Sequence, residues 1–322
     1  MTTLELTDLV KTYAVRRGVL GRRSGSVQAV SGVSVSIPAG TTYGLVGETG
    51  CGKSTLGRCA ARLNEPDDGS VVVGDLEITH MRGSRLRDVR RKVQTVFQDP
   101  FASLNPRMSI RAVLREPLAI HGLHQGRRDE RVHDLLEQVG LNPEWAGRYP
   151  HELSGGQRQR VGIARALAVE PDVIVLDEPV SALDVSVQAG VLNLLCDLQD
   201  SLGLTYLFIS HDLSVVRHLS HQVGVMYLGR IVESGPADEV YASPKHPYTQ
   251  ALLSSIPLPD PRAERTRERI VLTGDLPSPM SPPPGCHFHT RCSRATEICS
   301  QLVPETRVTA AGQSVACHHA EL

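Results

Sequence analysis

Tyr43-Gly-Leu-Val-Gly47-Glu48-Thr49-Gly50-Cys51-Gly52-Lys53-Ser54-Thr55 passes from a short apolar run, through a glycine-rich turn, into a stretch of helical character that continues to Leu63. Strand, Gly-rich turn and helix form the setting that a G-x-x-x-x-G-K-[ST] phosphate loop requires. Its glycines let backbone N–H groups wrap a phosphate at the positive end of the following helix. At this spacing Lys53 reaches the outer phosphates and the Ser54 hydroxyl can ligate Mg²⁺. Cys51 reads as a spectator inside the loop, not a nucleophile.

Four further segments carry chemistry that fits such a loop. Val173-Ile-Val-Leu-Asp177-Glu178 places two acids at the end of a β-branched, buried strand, where parallel sheets bind their ligands. Asp177 can hold Mg²⁺, and Glu178 can take a proton from an attacking water. Standing alone, the pair would be read as two solvated acids at a strand end. Leu153-Ser154-Gly155-Gly156-Gln157 opens a helix that Ser154 can cap, with glycines that bare backbone N–H groups: a second anion-binding helix terminus. One nucleotide does not need two such termini from one protomer, so Ser154 is expected to serve the γ-phosphate of a nucleotide held by another subunit. Gln98 ends a strand-like run, and its amide can contact Mg²⁺ or the lytic water without carrying a proton. His211 follows the apolar run Thr205–Ile209 and can hydrogen-bond a γ-phosphate. Ser181-Ala-Leu-Asp184 is a candidate subunit contact. Tyr13, upstream of the loop, can stack on adenine.

Outward from these motifs the pattern is α/β. Thr205–Ile209 reads as a third buried strand, and Arg158–Val169 and Val187–Ser201 read as helices between the strands. This alternation predicts a mixed, mainly parallel sheet covered by helices. Leu4–Val10 and Val27–Ile37 read as strands, with Arg16–Gly25 between them as a basic, Gly-rich loop, most simply a solvated hairpin insertion. From about 107 to about 160 the pattern is helical, with no clear strand. Proline density climbs after Ser243, which places a boundary near 240 and a small Cys-rich extension from about 284.

Composition narrows the class. The 322 residues carry 34 Lys+Arg against 35 Asp+Glu, a net charge of -1, so no basic excess points to nucleic acid. No apolar run is long enough for a transmembrane helix, and Met-Thr-Thr-Leu-Glu-Leu lacks the regions of a signal peptide. A cytosolic chain, reaching a membrane only through partner subunits, is therefore expected.

Taken together, the motifs resemble an ABC-transporter ATPase of the P-loop NTPase class. Gly47–Thr55 resembles its Walker A, Gln98 its Q-loop, Leu153–Gln157 its signature, Val173–Glu178 its Walker B, Ser181–Asp184 its D-loop and His211 its switch histidine. The resemblance implies ATP and Mg²⁺, and two such domains sandwiching two ATPs head to tail. It implies a helical subdomain and a Gln98 region that pass the motion to membrane subunits, and a 1–240 ATPase domain. Gln98–Arg107, Lys245–Leu253 and Pro282–Cys292 resemble the oligopeptide/dipeptide importer ATPases, whose C-terminal region would be 241–322. The implied partners are a second ATPase, homologous or identical, two permease subunits and an extracytoplasmic solute-binding protein, with the chain peripheral at the cytoplasmic face of the membrane. Relatives that import nickel, glutathione or other solutes use nearly the same ATPase. An ABC ATPase acting on DNA or ribosomes is disfavoured by the single cassette, the absence of heptads and the neutral charge. A module that binds ATP without hydrolysing it is disfavoured by the intact Glu178 and His211.

The extension carries Cys286-x₅-Cys292-x₆-Cys299-x₁₇-Cys317. In the importer family, four cysteines at this kind of spacing bind an iron–sulfur cluster in some members. Four thiolates in a segment poor in core residues suit a [4Fe–4S] cluster or Zn²⁺ as a staple, or else remain reduced structural thiols. No C-x₂-C pair supports a zinc ribbon, and His287, His289, His318 and His319 are alternative ligands. Cys59 and Cys196, inside helical stretches, read as core residues.

Overall fold

The computed structural model describes residues 2–17, 22–99, 103–257 and 269–321. In chain order the elements are β1 (Thr2–Arg17), β2 (Arg22–Pro38), β3 (Thr42–Val46), α1 (Lys53–Ala60), β4 (Asp68–Val73), β5 (Leu76–Glu77), α2 (Gly83–Lys92), β6 (Val93–Val96), α3 (Ile110–Ile120) and α4 (Arg128–Gln138). They continue with α5 (Gly155–Leu167), β7 (Val173–Asp177), α6 (Val185–Leu202), β8 (Thr205–Ile209), α7 (Leu213–Leu219), β9 (Gln222–Tyr227), β10 (Arg230–Pro236), α8 (Ala237–Ala242), α9 (Pro247–Ser254), α10 (Glu297–Gln301), β11 (Thr306–Val308) and β12 (Ser314–Ala316).

β3, β7 and β8 are buried at every position, as continuous apolar strands are when helices and a second sheet cover both faces. They lie inside an eight-stranded sheet of order β11-β12-β10-β9-β3-β8-β7-β6. From β9 to β6 the pairings are parallel, and β10, β12 and β11 add antiparallel strands. The sheet is therefore mixed and mainly parallel. A second, antiparallel sheet of order β2-β1-β4-β5 packs beside it.

The strand period of two divides the interior between two cores. Val173 and Val175 of β7, with Leu207 and Ile209 of β8, join α1 and the second sheet. Their neighbours Ile174, Leu176, Tyr206 and Phe208 join the core built on α3, α4, α5 and α6. Each such side chain contributes roughly 1.5–3 kcal/mol by leaving water. Cys59 is buried in the first core and Cys196 packs half-buried against the second.

The basic stretch Arg16–Gly25 lies in a hairpin: β1 and β2 stay paired out to Arg17↔Arg22, and positions 18–21 lie outside the described residues. A long hairpin can keep its antiparallel ladder through polar residues, because the bonds are made by the backbone. The C-terminal extension also joins the main sheet. Its strand β12 pairs with β10 through Glu233↔Val315 and Ser234↔Ser314, and β11 follows on β12. Short strands flanked by Gly and Pro carry too little periodicity to be read locally. No described helix is long and apolar enough to cross a membrane.

Candidate functional site

The parallel order β3-β8-β7-β6 brings four strand ends together, and each delivers one piece of the site. β3 leads into the glycine loop and α1. Gly47 has φ +152 and Gly52 φ +111; a Cβ would stand 2.2 Å from the Met226 carbonyl oxygen at the first and 2.0 Å from that of Ala29 at the second. No other residue fits this backbone. Lys53 is buried, and its Nζ donates to the carbonyls of Gly47 at 2.7 Å and Glu48 at 3.1 Å. The Cys51 thiol lies 3.8 Å from that Nζ. Burial nevertheless raises its pKa, more than the lysine lowers it. It is an inert thiol at neutral pH.

β7 ends in the acidic pair. The Ser54 hydroxyl donates to Asp177 Oδ1 at 2.8 Å. Burial raises the Asp177 pKa, opposed by that hydrogen bond. A hydroxyl and a desolvated carboxylate form an oxygen-only donor set of the kind a hard divalent cation takes, so these residues fit Mg²⁺. Glu178 turns out of the strand in the left-handed region, with φ 50, and its N–H donates to the Ile209 carbonyl. A left-handed residue that is not glycine costs of order 1–3 kcal/mol and is characteristic of functional sites. The turn aims the carboxylate between two neighbours. Gln98 Nε2, beyond β6, donates to Oε2 at 2.8 Å, and His211 Nδ1, beyond β8, lies 3.2 Å from Oε1. Lys53, Ser54, Gln98, Asp177, Glu178 and His211 thus meet at one edge of the sheet.

The signature segment lies elsewhere. Ser154 Oγ accepts from the Gln157 N–H at 3.4 Å, while Gln157 Oε1 accepts from the Ser154 N–H at 2.9 Å, a reciprocal cap. The helix it opens, α5, packs mainly on α3, α4, α6 and β6, whereas α1 packs mainly on β1, β2, β7 and β8. Gly156 has a packing reason as well: a Cβ there would meet Val187 Cγ1 at 2.3 Å. Gly155 opens α5 beside it. Tyr13 stands on β1 with a partly exposed ring, its hydroxyl accepting from Asn64 Nδ2. Thr49 and Gly50 form the exposed tip of the loop, and Thr55 continues α1.

Residues 30–181 match the family model described as ABC transporter, and residues 232–299 match that described as oligopeptide/dipeptide transporter, C-terminal region. The oligopeptide transport ATP-binding protein AppF of Bacillus subtilis is 55% identical over 98% of this chain and 97% of its own. The chain belongs to this family. The di/tripeptide transport ATP-binding protein DppF of Pseudomonas aeruginosa is 51% identical over 99% of this chain and 98% of its own. Among solved structures, the ATP-binding cassette MJ0796, a dimer in a post-hydrolysis state bound to ADP and Pi, has 29% identity and a TM-score of 0.64, covering 73% of this chain and 98% of that one. As an ABC ATPase the chain takes ATP with Mg²⁺.

In the C-terminal region the four cysteines are free thiols, and none of them is in a disulfide. Burial, then the proximity of Cys299, Cys317 and Cys292, pushes the Cys286 thiol up to about 11. The Cys286 N–H donates to the Cys299 carbonyl at 2.8 Å. Yet among the described residues no three His, Cys, Asp or Glu side chains stand together as a metal-ligating group. His287, His289, His318 and His319 turn to partners other than the thiols: His287 and His289 lie against the Leu228 and Cys286 carbonyls, His318 against that of Leu302, and His319 against the Thr296 hydroxyl.

Sequence motifs gave no sign that this region touches the Walker A loop. Arg291 donates twice to the Glu48 carboxylate, at 2.8 and 3.0 Å, across 243 residues. The Glu48 N–H donates to the Tyr248 hydroxyl at 2.9 Å. Tyr248 is placed by α9, whose N-cap is the buried His246: its Nδ1 accepts from the Tyr248 N–H at 3.1 Å. Burial pushes the His246 pKa down to about 3. The folded pKa lies below the unfolded one, so as pH falls below about 6.5 the unfolded chain takes the proton first. Stability should then fall towards pH 3 by as much as about 1.4 kcal/mol per pH unit. His246→Asn keeps a capping oxygen and should flatten that slope in urea melts run between neutral and mildly acidic pH; identical slopes would refute the assignment.

Proposed function

We propose that this chain hydrolyses ATP to drive the import of oligopeptides or dipeptides through an ABC transporter. The observation that carries the reading is the Glu178 carboxylate held between Gln98 and His211, beside Asp177, Ser54 and Lys53. Glu178 accepts the proton of the attacking water, Gln98 orients that water, and His211 hydrogen-bonds the γ-phosphate. Lys53 and the Gly47–Thr55 N–H groups bind the outer phosphates, and Tyr13 stacks on adenine. Ser54, Asp177 and Gln98 would hold Mg²⁺, which neutralises phosphate charge when bound. Peptide specificity rests on the relatives and on residues 232–299.

Because α5 and α1 pack on different parts of the fold, Ser154, Gly155, Gly156 and Gln157 serve the nucleotide of a second ATPase subunit. Two permease subunits hold the pair at the cytoplasmic face of the membrane, and an extracytoplasmic solute-binding protein delivers the peptide. The test is transport in vesicles that contain the two ATPases and the permeases. Peptide uptake that needs ATP and stops without this chain supports the reading; uptake that is independent of it overturns it.

Cys286, Cys292, Cys299 and Cys317 are proposed to hold a [4Fe–4S] cluster that staples the extension, a reading supported by four free thiols of which three lie near enough to Cys286 to raise its pKa. Protein purified anaerobically should be brown and carry about four irons per chain. Iron-free, colourless protein, with or without zinc, removes the cluster and leaves the ATPase standing.

A further inference from the structure

The Walker A loop is held from outside by the C-terminal region, and the hold converges on Glu48. That residue is anchored at three points: its N–H on the Tyr248 hydroxyl at 2.9 Å, its carbonyl on Lys53 Nζ at 3.1 Å, and its carboxylate on both terminal nitrogens of Arg291 at 2.8 and 3.0 Å. An exposed ion pair would contribute little. This one is bidentate, and the Arg291 side chain is only 8% exposed, the arrangement in which a guanidinium fork fixes geometry. Behind it the Tyr227 ring lies edge-on to Tyr248 at 4.7 Å and to Phe288 at 5.2 Å. The aromatic cluster therefore joins β9, α9 and the Cys-rich segment in one packed unit against the loop.

We propose that Arg291 and Tyr248 are positioning residues for nucleotide binding: through Glu48 they hold the loop in the shape that its N–H groups and Lys53 need to meet the phosphates. The proposal rests on the reading of Gly47–Thr55 as the ATP site.

The test uses the full chain. The dissociation constant for a non-hydrolysable ATP analogue with Mg²⁺, and the KM and kcat for ATP, are measured for wild type, Glu48→Gln, Arg291→Gln, the double variant, Arg291→Lys and Tyr248→Phe. Glu48→Gln and Arg291→Gln should each weaken analogue binding about 5- to 20-fold and raise KM in parallel, and Arg291→Gln, outside the loop, should change kcat less than about twofold. The double variant should bind no worse than the poorer single, because both remove one interaction. Arg291→Lys should recover part of the affinity, and Tyr248→Phe should lose part of it. A merely structural Arg291 would lower the melting temperature and leave the dissociation constant and its coupling to Glu48 unmoved. If Arg291→Gln fails to fold, Glu48→Gln and Tyr248→Phe decide alone. Wild-type binding with those variants within twofold of it, or fully additive losses, overturns the proposal. A wild type that does not bind the analogue overturns the ATP reading first.

Discussion

Glu178→Gln is expected to bind MgATP as the wild type does and to turn it over more slowly by a factor on the order of 10²–10⁴, the usual contribution of a positioned general base. The amide has the shape of the carboxylate, and its oxygen can still accept from Gln98, so the left-handed turn at Glu178 and the Gln98 contact survive. What is lost is the capacity to take a proton. The NH₂ group also cannot accept from His211, whose Nδ1 lies 3.2 Å from the carboxylate. ATP turnover and analogue binding measured together on both proteins separate these effects. Equal turnover would remove Glu178 as the base and much of the mechanism with it. A wild type with no turnover of its own would show that the partner ATPase or the permeases are required for hydrolysis.

Gly52→Ala is expected to cost both stability and nucleotide binding. A Cβ at this position would stand 2.0 Å from the Ala29 carbonyl oxygen, and φ is +111. The obstacle is backbone of the adjoining hairpin, not the end of a flexible side chain, so relief requires moving the loop or β2. The strain at such a φ alone is about 1–3 kcal/mol, and the clash adds to it. A fall in melting temperature of roughly 2–4 °C for each kcal/mol follows. Affinity for the ATP analogue should fall further than stability does, because the displaced peptide belongs to the loop whose N–H groups are proposed to bind phosphate. Wild-type melting and affinity in Gly52→Ala would refute this account of the loop.

The site was legible in the sequence wherever its chemistry is local. The glycines of Gly47–Thr55, the acidic pair that ends an apolar strand, and the cap-and-glycine start at Ser154 are all rules that act within a few residues. They survive without knowledge of the fold. Gln98 and His211 were legible only as members of a set. Nothing near them announces that they bracket Glu178, and that follows from the parallel neighbours β6, β7 and β8. The remaining strands were harder. β4, β9 and β10 gave no separate expectation, and β11 and β12 are three residues each. Such strands are defined by the partner they pair with more than by their own side chains. The four cysteines were legible as a group.

By itself, then, the sequence picked out the residues that the structure gathers at the strand ends: Lys53, Ser54, Gln98, Asp177, Glu178 and His211. Those assignments depend on backbone conformations and donor types that neighbouring residues impose on one another. Only the tertiary structure decided that the C-terminal region completes the main sheet through β12 and grips the Walker A loop through Arg291 and Tyr248. The physical reason is separation along the chain. A guanidinium 243 residues from its carboxylate leaves no periodic or compositional mark, and its placement follows only when burial of Tyr227, Tyr248 and Phe288 brings the two segments together.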